Sequence, residues 1–345
     1  MNSATVTASI EVSRRGAADR PRGVILLYHR VTRLALDPQW LAVTPEHFAQ
    51  HLDVLSRSAR PMSLPDLTEQ MTDGEVLNDA VAIIFDDGYA DNLTHAAPLL
   101  HRYATPATVF VASGYVGCER EFWWDELERT VFSPDVLPSV LRLDLGDEPC
   151  SVNLDETRMT PTRDRSDWNV TSSQDPTFRH KLYRTLFERL RPMAEPTRDK
   201  ALEQFAKWAG VPRVVRASHR TLTREALSKL NHDPLIEIGA HTVSHPVLSI
   251  MDATAQYQEV THSKAALEAI LGETVSSFSY PFGTRHDYTH ESVRAVRCAG
   301  YHRACANFLG GVAPQTDRFQ LPRVLVRDWD GDTFAQKLTE LGVAL

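Results

Sequence analysis

Cysteine is scarce in this sequence, and no pair of cysteines has the spacing of a metal or redox motif. Only four occur in 345 residues, with no CxxC among them: Cys118, Cys150, Cys298 and Cys305. Disulfide-stapled scaffolds and zinc fingers need more thiols at closer spacing, so both classes are excluded. We expect these four thiols to be free and reduced.

Long apolar runs are also missing. The first apolar stretch, 24–28, has only the length of a strand, whereas a membrane span needs roughly 20 apolar residues. Residues 1–22 are polar, contain Arg14 and Arg15, and lack the apolar core of a secretory signal. We therefore expect a flexible N-terminal segment over 1–22, no membrane span and a cytoplasmic location.

The sequence also lacks an excess of positive charge. The 37 basic and 45 acidic residues give a net charge of −8, so nucleic acid and anionic membranes are not expected partners. The remaining composition is 42% hydrophobic and 24% charged, which is typical of a globular chain with a substantial core.

Short apolar runs alternate with helical patterns along most of the chain. Strands are predicted at 24–28, 81–85, 108–112, 235–238, 275–280 and 301–306. Helices are predicted among other places at 45–55, after Thr44 as N-cap, and at 253–271, before Gly272. Strands of this kind are buried on both faces, so the pattern indicates an α/β sheet or barrel.

Residues 119–220 interrupt this alternation. They contain a predicted hairpin, with strands at 140–145 and 150–154, and an amphipathic helix that begins at Asp175-Pro176. We interpret this region as an insertion that covers one side of the barrel mouth. The whole of 23–345 is then a single catalytic domain.

Two short segments combine the residue types of a metal site with a spare carboxylate. Asp86 and Asp87 follow the apolar run 81–85, and His241 and His245 follow 235–238. Two histidines and one aspartate can hold a divalent metal, and the second aspartate would be a base beside it. Taken alone, each pair is more often a helix cap or two surface histidines. Both follow strands, however, where functional groups of α/β folds collect, so we predict a metal-dependent hydrolase.

A third segment ends a predicted strand near the same rim. In Tyr280-Pro281-Phe282-Gly283 the proline has no N–H, which leaves the amide of Phe282 as a free donor. Such an amide could stabilise an oxyanion, and an ordinary strand-terminating turn is the alternative interpretation.

These three segments resemble the motifs of the polysaccharide deacetylase superfamily, the NodB-homology domains of carbohydrate esterase family 4. Residues 84–88 are similar to the TFDDG motif, 241–245 to the H-[ST]-x-x-H motif, and 280–283 to the third motif in a YPFG form. The resemblance spans roughly 23–329 and implies a distorted (β/α)7-type barrel.

The resemblance also implies roles for the motif residues. Asp86 would be the general base, and Asp87, His241 and His245 would hold a divalent metal, most often Zn²⁺, with Co²⁺, Ni²⁺ or Mn²⁺ as alternatives. The substrate would be an acetylated saccharide that loses an N-acetyl or, less often, an O-acetyl group. Phe282 and Tyr280 would lie beside the reacting acetyl group.

The chain departs from the family pattern in its third motif. Ser279 stands where the family carries the arginine that orients the base. Arg323, from a later strand, is a candidate replacement, with a surface arginine as the alternative.

The second departure concerns the general acid. The usual C-terminal L-x-H motif is absent, and Leu27-Tyr28-His29 is similar to it at the N-terminal end. The chain therefore resembles circularly permuted members that act on exported and surface polysaccharides, which makes His29 the expected general acid. His286 and His302 are weaker candidates for that role.

Aromatic residues at the start of the insertion are candidates for sugar binding. Trp123 and Trp124 could stack on sugar rings and Asp125 could bind hydroxyl groups, although burial in the core is an equally good interpretation.

Other functions are compatible with the same residues. Two histidines and an aspartate also form the facial triad of non-haem iron oxygenases, which usually have β-sandwich folds. A catalytically dead carbohydrate-binding relative, or a hydrolase of another C–N amide bond, remains open as well.

Overall fold

The computed structural model describes residues 23–74, 79–138, 140–144, 149–153 and 168–341. The predicted flexible segment 1–22 lies outside them. In chain order the strands are β1 Gly23–Tyr28, β2 Arg30–Val31, β3 Ala42–Val43, β4 Arg60–Pro61, β5 Ala80–Phe85, β6 Ala107–Val111, β7 Val140–Asp144, β8 Pro149–Asn153, β9 Ile236–Ala240, β10 Ser277–Ser279, β11 Arg303–Cys305 and β12 Val324–Leu325. The helices are α1 Pro45–Ser58, α2 Leu64–Asp73, α3 Ala97–Arg102, α4 Trp123–Phe132, α5 Phe178–Leu190, α6 Glu195–Ala209, α7 Arg224–Asn231, α8 Ala253–Leu271, α9 His290–Cys298 and α10 Gly331–Glu340.

A curved parallel sheet forms the centre of the described structure. Its strand order is β12-β1-β5-β6-β9-β10-β11, and β4 pairs with the start of β5. The connection 318–321 bonds to β11, since the Ala304 amide donates to the Arg318 carbonyl at 2.8 Å and the Leu321 amide to the Ala304 carbonyl at 2.9 Å. The same connection leads into β12 beside β1. The predicted α/β barrel-type fold, with about seven strands, is confirmed.

The strands are apolar on both faces because each face packs on a different layer. All six residues of β1 are buried. Leu26 and Tyr28 belong to the cluster that includes Phe48 of α1, whereas Ile25 belongs to a second cluster that includes Leu67 of α2. This two-sided burial is the reason that the strands read as continuous apolar runs.

Local signals predicted several helix ends correctly. Helix α8 has the predicted bounds, and Gly272 follows it with φ +74°, the left-handed conformation that suits glycine. The predicted start of α5 was wrong, because the helix begins at Phe178 rather than at Asp175-Pro176. The Asp175 carboxylate pairs with Arg184 at 2.8 Å instead of capping the helix.

The insertion builds its own apolar cluster against one edge of the barrel. Strands β7 and β8 form the predicted antiparallel hairpin, whose turn lies outside the described residues. Helices α4, α5 and α6 contribute Leu127, Leu186 and Phe205 to a cluster that also contains Tyr115 from the barrel. None of the helices in the described part of the chain is long and apolar enough to cross a membrane. The three cysteines with described side chains are free.

Candidate active site

The carboxyl ends of the parallel strands meet around a cavity of about 260 Å³. Its lining includes a residue or pair from the end of each of several strands: His29 after β1, Asp86 and Asp87 after β5, His241 after β9, Phe282 after β10, Asn307 after β11 and Arg327 after β12. A larger cavity of about 540 Å³, lined mainly by 308–324, contains none of the motif residues. The three predicted motifs therefore converge at one rim, as the parallel topology requires.

The motif turns hold unusual backbone conformations. Six described residues other than glycine have positive φ, and four of them lie in the three motifs: Asp87, Thr242, His245 and Phe282. Such conformations are unfavourable for these residues and persist only where the surroundings fix them. The H-x-x-x-H turn is fixed by Glu259 of α8, whose carboxylate accepts from the amides of Val243 at 2.8 Å and Ser244 at 3.0 Å.

The two histidines of this turn point at one carboxylate. The Nε2 atoms of His241 and His245 lie 3.6 and 3.3 Å from Oδ1 of Asp87. His241 is oriented by a 2.7 Å hydrogen bond between its Nδ1 and the Ser279 carbonyl oxygen. His245 is enclosed by aromatic rings, with the Trp124 ring centroid at 5.0 Å.

These three side chains fit a divalent metal. Their ligand atoms all lie within 4.8 Å of one another, and ligands about 2.0–2.1 Å from a tetrahedral zinc would be about 3.3 Å apart. Burial lowers the pKa of His241 to about 4 and that of His245 to about 3, so both imidazoles are neutral at pH 7 and present lone pairs. Burial raises the pKa of Asp87, as expected of a carboxylate that a bound cation would stabilise.

Asp86 has a different environment from its neighbour. Nη1 of Arg323 donates to both carboxylate oxygens of Asp86, at 2.9 and 2.8 Å, and the Ser279 hydroxyl donates to Oδ2 at 3.2 Å. Burial alone would raise the pKa of Asp86, but opposing interactions, of which the charge of Arg323 is the largest, lower it below its usual value. The carboxylate is therefore ionised and held in one orientation beside the metal-ligand cluster.

His29 lies at the same rim, on the segment that follows β1. Its side chain lines the cavity, and Nδ2 of Asn92 donates to its carbonyl oxygen at 2.9 Å. Burial lowers the pKa of His29 to about 4, although the charges of Asp87 and Asp86 oppose that decrease.

The amide of Phe282 is available at the same cavity. It donates none of the hydrogen bonds found among the described residues, and Phe282 has φ +58°. The carbonyl of Phe282 accepts from Nδ2 of Asn307 at 3.0 Å, which fixes the turn. Gly283 is required next, because a Cβ there would lie 2.9 Å from the Asn307 nitrogen.

Several predicted site residues lie elsewhere. Trp123 is buried in the insertion against Phe187 and is not part of the cavity lining as described. The hydroxyl of Tyr280 donates to the Phe319 carbonyl at 3.1 Å, so this side chain supports the fold rather than the substrate. His286 and His302 are exposed and do not line the described cavity.

Asp125 is likewise a supporting residue rather than a sugar ligand. Its Oδ2 accepts from the Tyr89 hydroxyl at 2.7 Å, and that hydroxyl accepts from Nε1 of Trp124 at 2.9 Å. Trp124 does line the cavity. Asp125 therefore fixes the ring that closes one side of the site.

The burial of Asp125 predicts a pH-dependent stability. Burial raises its pKa to about 7, although Arg30 and the Tyr89 hydrogen bond oppose the increase. The folded protein thus keeps a proton that the unfolded chain releases above about pH 4, so stability falls as pH rises from 4 to 7. Asp125→Asn should remove this loss and gain roughly 3 kcal/mol relative to the wild type between pH 4.5 and 8. Urea unfolding across this range measures it, and parallel profiles for the two proteins would contradict it.

The Arg323–Asp86 pair predicts a strong energetic coupling. Both side chains are almost fully buried, so Arg323→Met leaves an unpaired carboxylate and should cost about 3–5 kcal/mol of unfolding free energy. Adding Asp86→Asn to the Arg323→Met variant should recover most of the lost unfolding free energy. A double-mutant cycle by urea unfolding measures the coupling, with the exposed Arg318→Met as control. Additive effects of the two changes would show that the pair is not coupled.

The fold and the site together define an α/β barrel protein whose functional groups lie at the carboxyl ends of its strands. Its sequence matches the model of a family described as polysaccharide deacetylase, over residues 73–136 and 206–304. The matched ranges contain all three motifs and leave out most of the insertion. The predicted resemblance to the polysaccharide deacetylase superfamily is confirmed by this match.

Solved structures of deacetylases have similar folds. The Streptococcus pyogenes deacetylase PplD, solved in complex with acetate, is 15% identical, with a TM-score of 0.57 over 92% of this chain and 98% of its own. IcaB from Ammonifex degensii is 18% identical, with a TM-score of 0.57 over 93% and 97%. A de-N-acetylase from Aggregatibacter actinomycetemcomitans is 15% identical, with a TM-score of 0.51 over 92% and 99%. These similarities show a shared fold, and no curated protein matches the sequence.

The structure also brings residues to the site that the sequence analysis did not predict. They are Gln39, Leu41, Phe187, Arg191, Thr284, Asn307, Leu325 and Arg327 in the cavity lining, and Glu259 behind the histidine turn. Of these residues, only Arg327 and Asn307 could have been predicted from the sequence, because each follows a short apolar run, as the motif residues do.

Proposed function

We propose that this protein is a metal-dependent deacetylase that hydrolyses an N-acetyl group on a saccharide during the biosynthesis of a surface polysaccharide or glycoconjugate. The proposal rests on one observation, which is that two adjacent carboxylates have different environments. Asp87 faces two neutral imidazoles, whereas Asp86 is held by Arg323. This division supplies a metal site and a separate base at one rim.

The residues of the chain then have distinct roles. Asp87, His241 and His245 would hold a divalent metal, which when bound supplies a Lewis acid for the acetyl carbonyl and for water. Asp86 lies beside them as an ionised carboxylate and accepts the proton of the attacking water. Arg323 keeps Asp86 ionised and oriented.

Two further groups complete the proposed reaction. The free amide of Phe282 donates to the oxygen on which negative charge develops. His29 delivers a proton to the leaving nitrogen, in the role that its resemblance to the permuted members implies. Developing negative charge next to an imidazole raises its pKa, which favours the protonated form of His29 during the reaction.

An acetate-release screen tests the proposal. Purified protein loaded with Zn²⁺, Co²⁺, Ni²⁺ or Mn²⁺ is incubated with N-acetylated and O-acetylated saccharides, and acetate is measured together with the free amine. We expect acetate and amine in equal amounts, abolished by chelation and restored by metal. Acetate without amine would indicate an O-deacetylase.

The same screen separates the other functions. Glycan binding without acetate release would identify a carbohydrate-binding relative, and release of formate or ring opening would identify a different amide hydrolase. Oxygen consumption with bound iron would identify an oxygenase. The parallel α/β barrel does not favour that last function, because facial-triad oxygenases usually have β-sandwich folds.

A further inference from the structure

Two arginines line the candidate active-site cavity without a role in the reaction proposed above. Arg191 follows the last residue of α5 in the insertion, and Arg327 lies two residues beyond β12. Neither belongs to a motif of the family resemblance. Guanidinium groups in a ligand cavity are suited to bind carboxylate or phosphate oxygens.

Arg327 is a half-buried cation without a carboxylate partner among the described residues. Its Nη1 donates to the carbonyl oxygens of Gln39 and Trp40, and its guanidinium lies 4.7 Å from the centre of the Trp40 ring. Burial lowers the pKa of Arg327 to about 10, while the charge of Asp37 opposes the decrease. Arg327 is therefore still charged at neutral pH, and its remaining N–H groups donate no hydrogen bond to the described residues.

Arg191 is held in place by an ion pair. Its Nη2 bonds to Asp287, and its guanidinium lies 4.3 Å from the centre of the Phe282 ring. The Asp287 carboxylate is shared, because it also accepts from the amide of Thr284 at 3.0 Å and from its hydroxyl at 2.6 Å. Arg191 is thus positioned at the cavity with its charge partly compensated.

The carboxylates near the cavity are each occupied. Asp86 is paired with Arg323, and Asp87 belongs to the metal-ligand cluster. Asp37 accepts from the amides of Leu41 at 3.0 Å and Ala42 at 2.7 Å, and forms no ion pair with Arg327. Because Arg323 already balances Asp86, a divalent cation held at Asp87 would leave the charge of the lining positive. A half-buried cation without a counter-ion loses part of its hydration, and an anionic ligand would offset that loss.

We propose that the site accepts a saccharide that carries an anionic group near its acetylated nitrogen, and that Arg327 binds that group. This inference rests on the proposed deacetylase function and adds a substrate class to it. The anion is a uronate-type carboxylate or a phosphate ester, since both present the oxygens that a guanidinium recognises.

Three N-acetylglucosamine probes distinguish these sources. They are the neutral methyl glycoside, the 1-phosphate, and a disaccharide with a glucuronate unit. Binding to metal-loaded Asp86→Asn protein is measured by calorimetry, with and without Arg327→Gln, and kcat/KM is measured with the unmodified catalytic residues. We expect one acidic probe to bind more tightly than the neutral one, and Arg327→Gln to reduce that preference by about 10- to 100-fold.

Two further variants make the test specific. Arg327→Lys keeps the charge and should retain most of the preference, which a loss of folding would not explain. Arg294→Gln, which removes a guanidinium that is 75% exposed on α9, should leave the preference unchanged. Equal losses for neutral and acidic probes on Arg327→Gln would overturn the inference while leaving the deacetylase function intact. Arg327-dependent binding of an acidic probe without acetate release would support the anion site and contradict the deacetylase function.

Discussion

Asp86→Asn is expected to abolish deacetylation while the protein still binds its metal. The substitution keeps the shape of the side chain and one acceptor oxygen for Arg323, but it removes the negative charge and the group that accepts a proton. Loss of a positioned base costs about 10²–10⁴-fold in rate. We therefore expect kcat to fall by at least about 100-fold with metal content unchanged. Acetate release and metal analysis of the same protein preparation measure both quantities.

The control for this substitution is an aspartate outside the site. Asp332→Asn changes an exposed carboxylate in the first turn of α10 and should leave kcat within about twofold, as is usual for surface substitutions. An Asp86→Asn protein with wild-type activity would exclude Asp86 as the base. Loss of both metal and activity would show instead that Asp86 is a metal ligand.

The sequence was sufficient for the parts of the site that lie on local motifs. Asp86, Asp87, His241 and His245 each follow an apolar strand, and parallel strands bring their carboxyl ends to one edge. The structure places Arg323 on Asp86, where the departure at the third motif indicated a replacement. A chemical requirement that one residue fails to meet can thus be used to search for another.

Contacts between elements that are distant in the chain could not be predicted from the sequence. Glu259 supports the histidine turn from within α8, where nothing distinguishes it from other polar residues of the helix. Trp123 and Trp124 are adjacent in α4, yet one faces the interior of the insertion and the other the cavity. Which of two neighbouring aromatic residues contacts a ligand depends on how the helix is rotated against the barrel, and that rotation is set by α5 and α6.

The buried charges show a related limit. Arg30 pairs with Asp91 beneath the segment that carries His29, and its guanidinium lies 4.1 Å from the Tyr89 ring. A sequence pattern assigns charged residues to the surface, because isolated charges are costly inside a protein. Buried charges are tolerated when they form ion pairs with residues from other parts of the chain. Such pairs are set by the tertiary structure and cannot be seen in the sequence.

His241→Ala is expected to abolish metal binding and activity together. His241 contributes one of three buried ligand atoms, and its Nδ1 bond to Ser279 already fixes its orientation. Substitution of a residue that only supports a ligand costs about 10–100-fold in metal affinity, so loss of a ligand should cost more than about 100-fold. Competition with a chromophoric chelator measures the affinity, and acetate release measures the activity.

A matched histidine outside the cluster provides the control. His302→Ala removes an exposed imidazole and should change neither quantity by more than about twofold, as expected of a surface position. Excess metal should partly restore the activity of His241→Ala only if Asp87 and His245 still form a weak metal site. Because Asp86→Asn is expected to lose activity without losing metal, the two variants together would assign the base and the ligand to different residues. A His241→Ala protein that keeps its metal affinity would show that the cluster is not the metal site.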